Sequence, residues 1–435
     1  MKMIALAWRN IITKPLNLFL TLVLFGLGVG LITFLLLFNH QLKDKFDRNL
    51  ADLDLVIGAK GSPLQLILCN MFHIDNPTGN ISIKSASPLL RENHPLIAKS
   101  VPLSLGDNYK SYRIVGTNHG ILDLYHAQID KGKFWEKDSE VTLGASVALY
   151  LNLKLGDTFI SSHGFTSDVD MTHDHLPFLV VGIMKPSGTV LDQLILTTTS
   201  TIWNVHDHQN DADSDDMHDH DLLSGRDDDH SDHDHDHMHD NSNTDLLSHP
   251  DKEITSILIQ YKNKASFQAL NFGRNINENT DLQAASPALE INRLYSMIGV
   301  GTDALKAIAL LIGIVSALSI FVTLFRSMKE RKYELAVMRV LGGSRQKIFS
   351  LILFEGIILA ILGFIFGIVL AHVGMEVAAH YLKQDFRYSF TGKIWLIEEW
   401  WIFAISLLLG VTAAFIPALQ AAKVDINKTL SEKIA

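Results

Sequence analysis

PLNLFLTLVLFGLGVGLITFLLLF, residues 15–38, runs for 24 residues without a charge. A run of about 20 apolar residues is long enough to cross the hydrocarbon core of a bilayer. On its amino side stand Lys2, Arg9 and Lys14 with no acid, and on its other side the chain turns polar at Asn39-His40-Gln41. The run exceeds the apolar core of a secretory signal, about 7–15 residues, and no small-x-small cleavage site follows, so it reads as a retained anchor. Three further uncharged runs come only near the end, at 307–325, 356–375 and 400–419. The spacing predicts a four-helix membrane part arranged as one span plus three, with a large mixed α/β domain outside the cytoplasm. The corresponding divisions are 1–44 (a surface elbow and the first span), 45–295 (the outside domain) and 296–435. In the last part, spans are expected at 307–325, 351–375 and 400–419, with a loop at 327–347.

Lys and Arg mark the cytoplasmic flanks of membrane spans. Residues 326–347 carry Arg326, Lys329, Arg331, Lys332, Arg339, Arg345 and Lys347 against Glu330 and Glu334, and the tail carries Lys423, Lys428 and Lys433. Four crossings put these and the amino terminus inside, and put 45–295 and the 376–399 loop outside. Trp395, Trp400 and Trp401 suit an aromatic belt at the outer interface. LAWRNIITKP (6–15), with Trp8 and Arg9, suits an amphipathic elbow on the inner surface. Gly26 and Gly30, and Gly363 and Gly367, have the small-residue spacing that lets helix backbones meet. Glu355, about two turns into the third hydrophobic segment, is an intramembrane acid. Its neighbours Arg345 and Lys347 place it near the inner headgroups, which points to an interfacial role.

The outside domain reads as alternating strands and helices. LDLVIGAK, SYRIVGT, EVTLGA, LGDTFI, PFLVVGIMK, DQLILT and ITSILIQYK have the β-branched, turn-bounded character of strands. ASVALYLNL and ASFQALNFGRNINE read as helices. The stretch 284–306 reads as one helix running into the second span. Cys69 is the single cysteine, which excludes an internal disulfide, and its neighbours LQLILCNMF predict a packed thiol. His73 and Asp75 form a lone pair better read as structural than as ligands. The turn-rich GAKGS at 58–62 lacks the G-x-x-x-x-G-K-[ST] spacing of a phosphate loop, as does the rest of the chain. No Ser/His/Asp elbow, HExxH or paired-carboxylate motif stands out, so no catalytic residue is assigned and the chain is not read as an enzyme.

The net charge of −10 conceals a strong asymmetry: residues 206–245 carry fifteen Asp against one Arg, so that segment holds −14 and the remainder about +4. No basic stripe lies on the soluble part, which excludes a nucleic-acid binder. Residues 206–249 also hold ten of the twenty histidines, including His206, His208, His218, His220, His230, His233, His235, His237 and His239. Such a segment cannot pack a core and reads as disordered. Imidazole suits Zn, Cu and Ni, and the carboxylates concentrate cations, so Zn2+ or another divalent metal is the expected ligand, although no fixed tetrahedral spacing appears. His173 and His175, with His163 and Asp174, form a weaker companion set.

SMKERKYELAVMRVLGGSRQKIFSLILFEG, residues 327–356, is the sharpest motif. Leu335, Met338 and Leu341 can share one face of a short amphipathic helix, ended by Gly342-Gly343. Glu330, Arg331, Lys332, Glu334, Leu335, Met338, Arg339, Leu341, Gly342, Gly343 and Ser344 follow an E-[RK]-[RK]-x-E-[LI]-x-x-[LM]-R-x-L-G-[AG]-S pattern. In this the segment resembles the corresponding loop of MacB/FtsX-type ABC transporter permeases. LAWRNIITKPLNLFLTLVLFGLGVG resembles that family's first helix. PALQAAKVDINKTLSE (417–432) resembles its last helix and tail, with Ile426 in place of the usual proline.

The resemblance implies a permease subunit in a bacterial inner membrane, with both termini cytoplasmic and a MacB-like periplasmic domain made of a porter-like part and a β-rich insertion. It implies a second permease chain, a homodimer in preference to a heterodimer, and a cytoplasmic ATPase dimer. A periplasmic binding or adaptor protein and membrane lipid are further expected partners. ATP hydrolysis would reside in the partner, coupled through Glu330, Arg331, Lys332, Glu334, Leu335, Met338, Arg339 and Gly342 to movement of the periplasmic domain, a process called mechanotransmission. No cofactor is required. The His/Asp segment favours divalent metal, above all zinc, as the matter handled. Lipoprotein release, peptide or drug export, and a non-transport regulator of a periplasmic partner remain the alternatives.

Overall fold

The computed structural model describes residues 3–161, 177–205, 243–386 and 390–423. It divides into two units, Asp44–Tyr295 and a second made of Met1–Lys43 with Ser296–Ala435. The chain opens with two helices, α1 (Met3–Ile12) and α2 (Pro15–Leu50). Pro15 has no N–H to continue α1 but is preorganised for the first turn of a new helix, which separates the two.

The unit Asp44–Tyr295 is built on twelve described strands: β1 (Leu55–Ala59), β2 (Ile81–Ser82), β3 (Ile97–Tyr109), β4 (Tyr112–Thr117), β5 (Ile129–Gly132), β6 (Glu140–Leu143), β7 (Thr158–Phe159), β8 (Phe178–Met184), β9 (Leu194–Thr197), β10 (Glu253–Ile254), β11 (Ser256–Tyr261) and β12 (Leu282–Ala285). Ten of them form one mixed sheet in the order β12-β1-β11-β3-β4-β9-β6-β8-β5, with β7 beside β8, while β10 and β2 pair separately. β4 runs parallel to β9, and β6 parallel to β8; the other pairings are antiparallel. Six helices accompany the strands: α3 (Pro63–Met71), α4 (Ile83–Leu90), α5 (Gly120–Leu124), α6 (Ala145–Leu151), α7 (Asn243–Leu247) and α8 (Phe267–Asn279).

Local chemistry explains the helix starts. The hydroxyls of Ser62, Ser82 and Ser266 accept hydrogen bonds from the backbone N–H groups of Gln65, Ser85 and Ala269, at 3.4, 3.2 and 3.1 Å. Each satisfies a donor that a helix start leaves unpaired. Two apolar clusters fill the sheet faces. Leu55, Ile57, Leu90, Ile257, Ile259 and Ile276 belong to one, and Ile114, Val141, Val147, Phe178, Val180 and Ile195 to the other. Burying each such side chain stabilises by about 1.5–3 kcal/mol. β8 shows the alternation clearly: Phe178, Val180 and Met184 are buried while Leu179 is exposed.

Two expectations need correction here. Ala284 and Ala285 are not helical; they lie in β12, opposite Ile57 and Val56 of β1, and the helix begins only at Pro287. The reason is the open edge of β1, whose hydrogen bonds the LQAA segment completes before proline starts a new turn. β3, the longest strand, has no counterpart among the strands expected from sequence. Pro102 and Gly106 make its segment look like a turn, yet Pro102 pairs opposite Ile257 and a register shift between Leu105 and Asn108 absorbs the irregularity.

The remaining helices are α9 (Pro287–Glu330), α10 (Lys332–Val340), α11 (Arg345–Phe386) and α12 (Glu398–Ala422). α2, α9, α11 and α12 are long and apolar enough to cross a membrane. Their core holds Phe25, Val29, Ile320, Leu324, Leu359 and Ala414. The small-residue pairs do what their spacing suggests. A Cβ on Gly367 would lie 2.8 Å from Gly26 O and 2.7 Å from Val29, and one on Gly30 would lie 3.1 Å from Gly367 O. Only glycine admits so close a backbone approach. The Ser316 hydroxyl donates to Leu24 O at 2.8 Å, which adds a polar tie between α9 and α2.

Candidate functional site

α10 joins two membrane-length helices. Leu335 and Ala336 are its buried residues. Leu335, with Met338 half-buried beside it, packs in a cluster with Met328, Ile348, Ile352, Ala418 and Ala421. The expectation that Leu341 shares that face is wrong: Leu341 is 81 % exposed and Val340 60 %. The physical reason is the helical period, which carries Leu341 about 120° round the helix from Leu335; the helix then ends. Gly342 adopts a left-handed φ of +93°. Gly342 N–H donates to Arg339 O at 3.1 Å, and Gly343 N–H to Met338 O at 2.9 Å. This pair of reversed hydrogen bonds is a Schellman cap. It ends the helix after Leu341, whose own N–H still donates to Val337 O at 3.0 Å, so the leucine keeps its helical position at the exposed end. Met3, Leu6, Met338, Leu341, Gly342 and Lys347 are among the residues lining a cleft of about 310 Å³ beside it.

A polar junction lies at the other end of α10. Glu355, on α11, is almost fully buried. Its Oε1 accepts from Asn10 Nδ2 at 2.7 Å and from Arg331 Nη1 at 3.1 Å. Arg331 Nε also donates to Glu334 at 3.2 Å. Glu330 accepts from Arg326 Nε at 3.0 Å and pairs with Lys14. Asn10 from the end of α1, Arg331 from the α9–α10 link and Glu355 from α11 therefore meet at one carboxylate. The neighbours that sequence proximity suggested for Glu355, Arg345 and Lys347, are not its hydrogen-bond partners. A buried carboxylate needs both charge and hydrogen-bond compensation, which Arg331 and Asn10 supply.

The expected coupling residues thus separate by position. Glu330, Arg331 and Glu334 are tied within the chain, Leu335 and Met338 lie beneath α10, Arg339 is half-buried, and Gly342 shapes the cap. Lys332 and Tyr333 are exposed. Sequence reading missed Asn10, Lys14 and Val340. Asn10 and Glu355 are 345 positions apart, so no local spacing could have joined them.

His206, His208, His218, His220, His230, His233, His235, His237 and His239 lie outside the described residues, as do His163, His173 and His175. Among the described residues no group of three or more His, Cys, Asp or Glu side chains is placed to hold a metal. His73 and Asp75 make no ligand pair. The Asp75 carboxylate accepts from Asn76 N–H at 2.8 Å, and Arg113 Nη2 donates to Asp75 O at 2.9 Å. Burial, aided by the nearby Arg113 charge, pushes His73 down to about 3. Cys69 is buried; burial raises its thiol pKa, although Arg113 Nη1 lies 3.6 Å from its Sγ.

Residues 18–271 match the MacB-like periplasmic core domain and residues 306–426 the FtsX-like permease C-terminal domain. The chain belongs to the MacB/FtsX-type permeases. It is similar to the macrolide export ATP-binding/permease protein MacB of Agrobacterium fabrum, 30 % identical over 129 residues, covering 30 % of this chain and 19 % of that protein. It is also similar to the pyoverdine export ATP-binding/permease protein PvdT of Pseudomonas putida, 22 % identical over 440 residues, covering 98 % of this chain and 59 % of that protein. The chain therefore spans less than two thirds of either relative. The periplasmic region of MacB from Actinobacillus actinomycetemcomitans aligns at 13 % identity over 57 % of this chain and 94 % of that one, with a TM-score of 0.32; this alignment adds nothing to the assignment.

Proposed function

We propose that the chain is the permease subunit of an ABC-type assembly in a bacterial inner membrane, with α10 as the element that receives force from a separate cytoplasmic ATPase. The observation that carries this reading is the division of labour on α10. Leu335 and Ala336 are buried beneath it, while Val340 and Leu341 stand exposed beside the cleft. An apolar knob on a short basic segment, with Lys347 lining the same cleft as Leu341, suits insertion into a partner's groove. The Arg331–Glu355–Asn10 junction then passes movement of α10 to α11 and α1. On this reading both termini are cytoplasmic, the Asp44–Tyr295 unit is periplasmic, two copies pair, and the work is mechanotransmission. The exposed indoles Trp395, Trp400 and Trp401 support the outer placement of the α12 start.

The test is co-purification. The full chain is solubilised by affinity tag, and the recovered proteins are scored by mass spectrometry for Walker-type ATPase subunits. Wild type is expected to bring one down, and Val340→Asp with Leu341→Asp to lose it while the chain stays folded. Absence of an ATPase from wild type, or its retention by the double variant, overturns the reading. Glu330 and Glu334 are poorer probes, because both pair inside the chain.

For the matter handled, the His/Asp-rich segment 206–249 supports divalent metal, zinc above all, sensed or buffered rather than passed through four largely apolar helices. Peptide or drug export, lipoprotein release and regulation of a periplasmic partner are the competing outcomes.

A further inference from the structure

α1 uses only part of its surface to pack. Ala7 and Ile11, four positions apart, are buried, and Asn10 is held by Glu355 of α11. Ile4, Trp8 and Ile12, again four apart, form a second apolar row, and all three are exposed. Beside that row opens a cleft of about 500 Å³, within the size range of small-ligand sites. Ile4, Ala5 and Trp8 of α1 and Ile358, Ile361 and Leu362 of α11 line it. None of these side chains is charged, and their one polar group is the Trp8 indole N–H.

Position along α11 sets the depth of the cleft. Ile358 and Leu362 follow Glu355 by three and seven residues, which at the helical rise is about 5–10 Å. On the membrane placement proposed above, the Glu355 junction lies at the inner headgroups, so the cleft opens one to two turns further into the hydrocarbon. Walls of this kind give water no hydrogen-bond partners, and an empty cleft forfeits the contacts of every atom that lines it. A hydrocarbon chain restores those contacts without burying a polar group.

At the headgroup end stands Arg9, between Trp8 of the cleft and Asn10 of the junction, and it is exposed. Among the described residues, the ion pairs of this side, Lys14–Glu330, Arg326–Glu330 and Arg331–Glu355, leave it out. A guanidinium presents parallel N–H donors that match phosphate oxygens. Its charge favours a lipid of net negative charge over a zwitterionic one. We propose that the cleft between α1 and α11 binds one anionic phospholipid of the inner leaflet, with an acyl chain in the cleft and the phosphate on Arg9. The lipid completes the apolar face of α1 and holds it against α11 next to the Asn10–Glu355 contact. The inference rests on the membrane placement and takes nothing from the ATPase.

The test is native mass spectrometry of the full chain in detergent, with phosphatidylglycerol or phosphatidylcholine of identical acyl chains added. Wild type is expected to retain one phosphatidylglycerol about fivefold better than phosphatidylcholine, the effect of one basic residue at an anionic surface. Arg9→Gln, at an exposed position, should lose that preference and still retain either lipid. Ile361→Trp fills the cleft and should lose both. Ile314→Trp, on an exposed part of α9, should behave as wild type. Equal retention of the two lipids by wild type overturns the proposal, as does an unchanged preference in Arg9→Gln. Equal losses in Ile361→Trp and Ile314→Trp would mean only unspecific lipid around the helices, which also overturns it. A dimer abolished by Ile361→Trp while lipid stays bound would assign the cleft to a second copy instead. The assay needs neither an ATPase nor a defined orientation, so its failure and that of the permease reading are separate results.

Discussion

At His73 a single ring links burial to pH. Its Nδ1 is buried without a hydrogen-bond partner, and burial with the adjacent Arg113 holds the group down to about 3. In the unfolded chain it titrates near the ordinary value of about 6.5. Folded-state affinity for protons is thus the weaker, so the unfolded chain takes up the proton first. The contribution is complete above about pH 6.5 and is lost progressively as pH falls toward 3. At pH 5 the loss is about 1–2 kcal/mol. Thermal unfolding of the full chain at pH 7 and pH 5 checks this: the drop in Tm is expected to shrink in His73→Gln. An equal drop in both proteins would show that the ring does not titrate on unfolding. Cys69, which the apolar run LQLILCNMF marks as packed, is indeed buried. The lone Nδ1 of His73 was not legible, because only the folded chain brings Arg113 beside it.

At the scale of elements, the junction of α1, α10 and α11 depends on complementary burial. Removing Arg331 leaves the Glu355 carboxylate buried with only Asn10, and breaking a buried pair in this way costs about 3–5 kcal/mol. Glu355→Gln keeps a hydrogen-bond acceptor for Asn10 and removes the charge that needs compensation. Arg331→Ala should therefore lower the melting temperature of the detergent-solubilised chain far more than Glu355→Gln. Similar losses in the two variants would mean that Arg331 is not compensating Glu355. α10 also shows why amphipathic periodicity was a partial guide. Leu335 and Met338 obey it, whereas Leu341 has rotated about 120° away from Leu335 and stands exposed.

On the scale of the whole molecule, the two units carry different tasks in the proposed assembly, and the His/Asp-rich segment offers a test of what is handled. It leaves the described chain at Val205 and rejoins it at Asn243, whose Nδ2 donates to Ser100 O and Oγ at 3.1 and 2.9 Å. Zinc titration by calorimetry is expected to show several sites in the full chain, weakening below about pH 6 as imidazoles protonate. Deletion of 206–240 should abolish them; no heat of binding in the intact chain ends the metal proposal.

Composition and periodicity alone determined the four membrane-length helices, the strands around LVIGA, YRIVGT, FLVVGIM and SILIQY, and the family motif at 327–344. These signals are local: a run of apolar residues, an alternation, a capped turn. The tertiary structure alone decided that β12 ends where a helix was expected, because the open edge of β1 had to be paired. It also decided which partners satisfy Glu355. A buried carboxylate takes a partner from a distant part of the chain, here Asn10. The cost of leaving it unpaired is set by the packed environment, which no window of sequence contains.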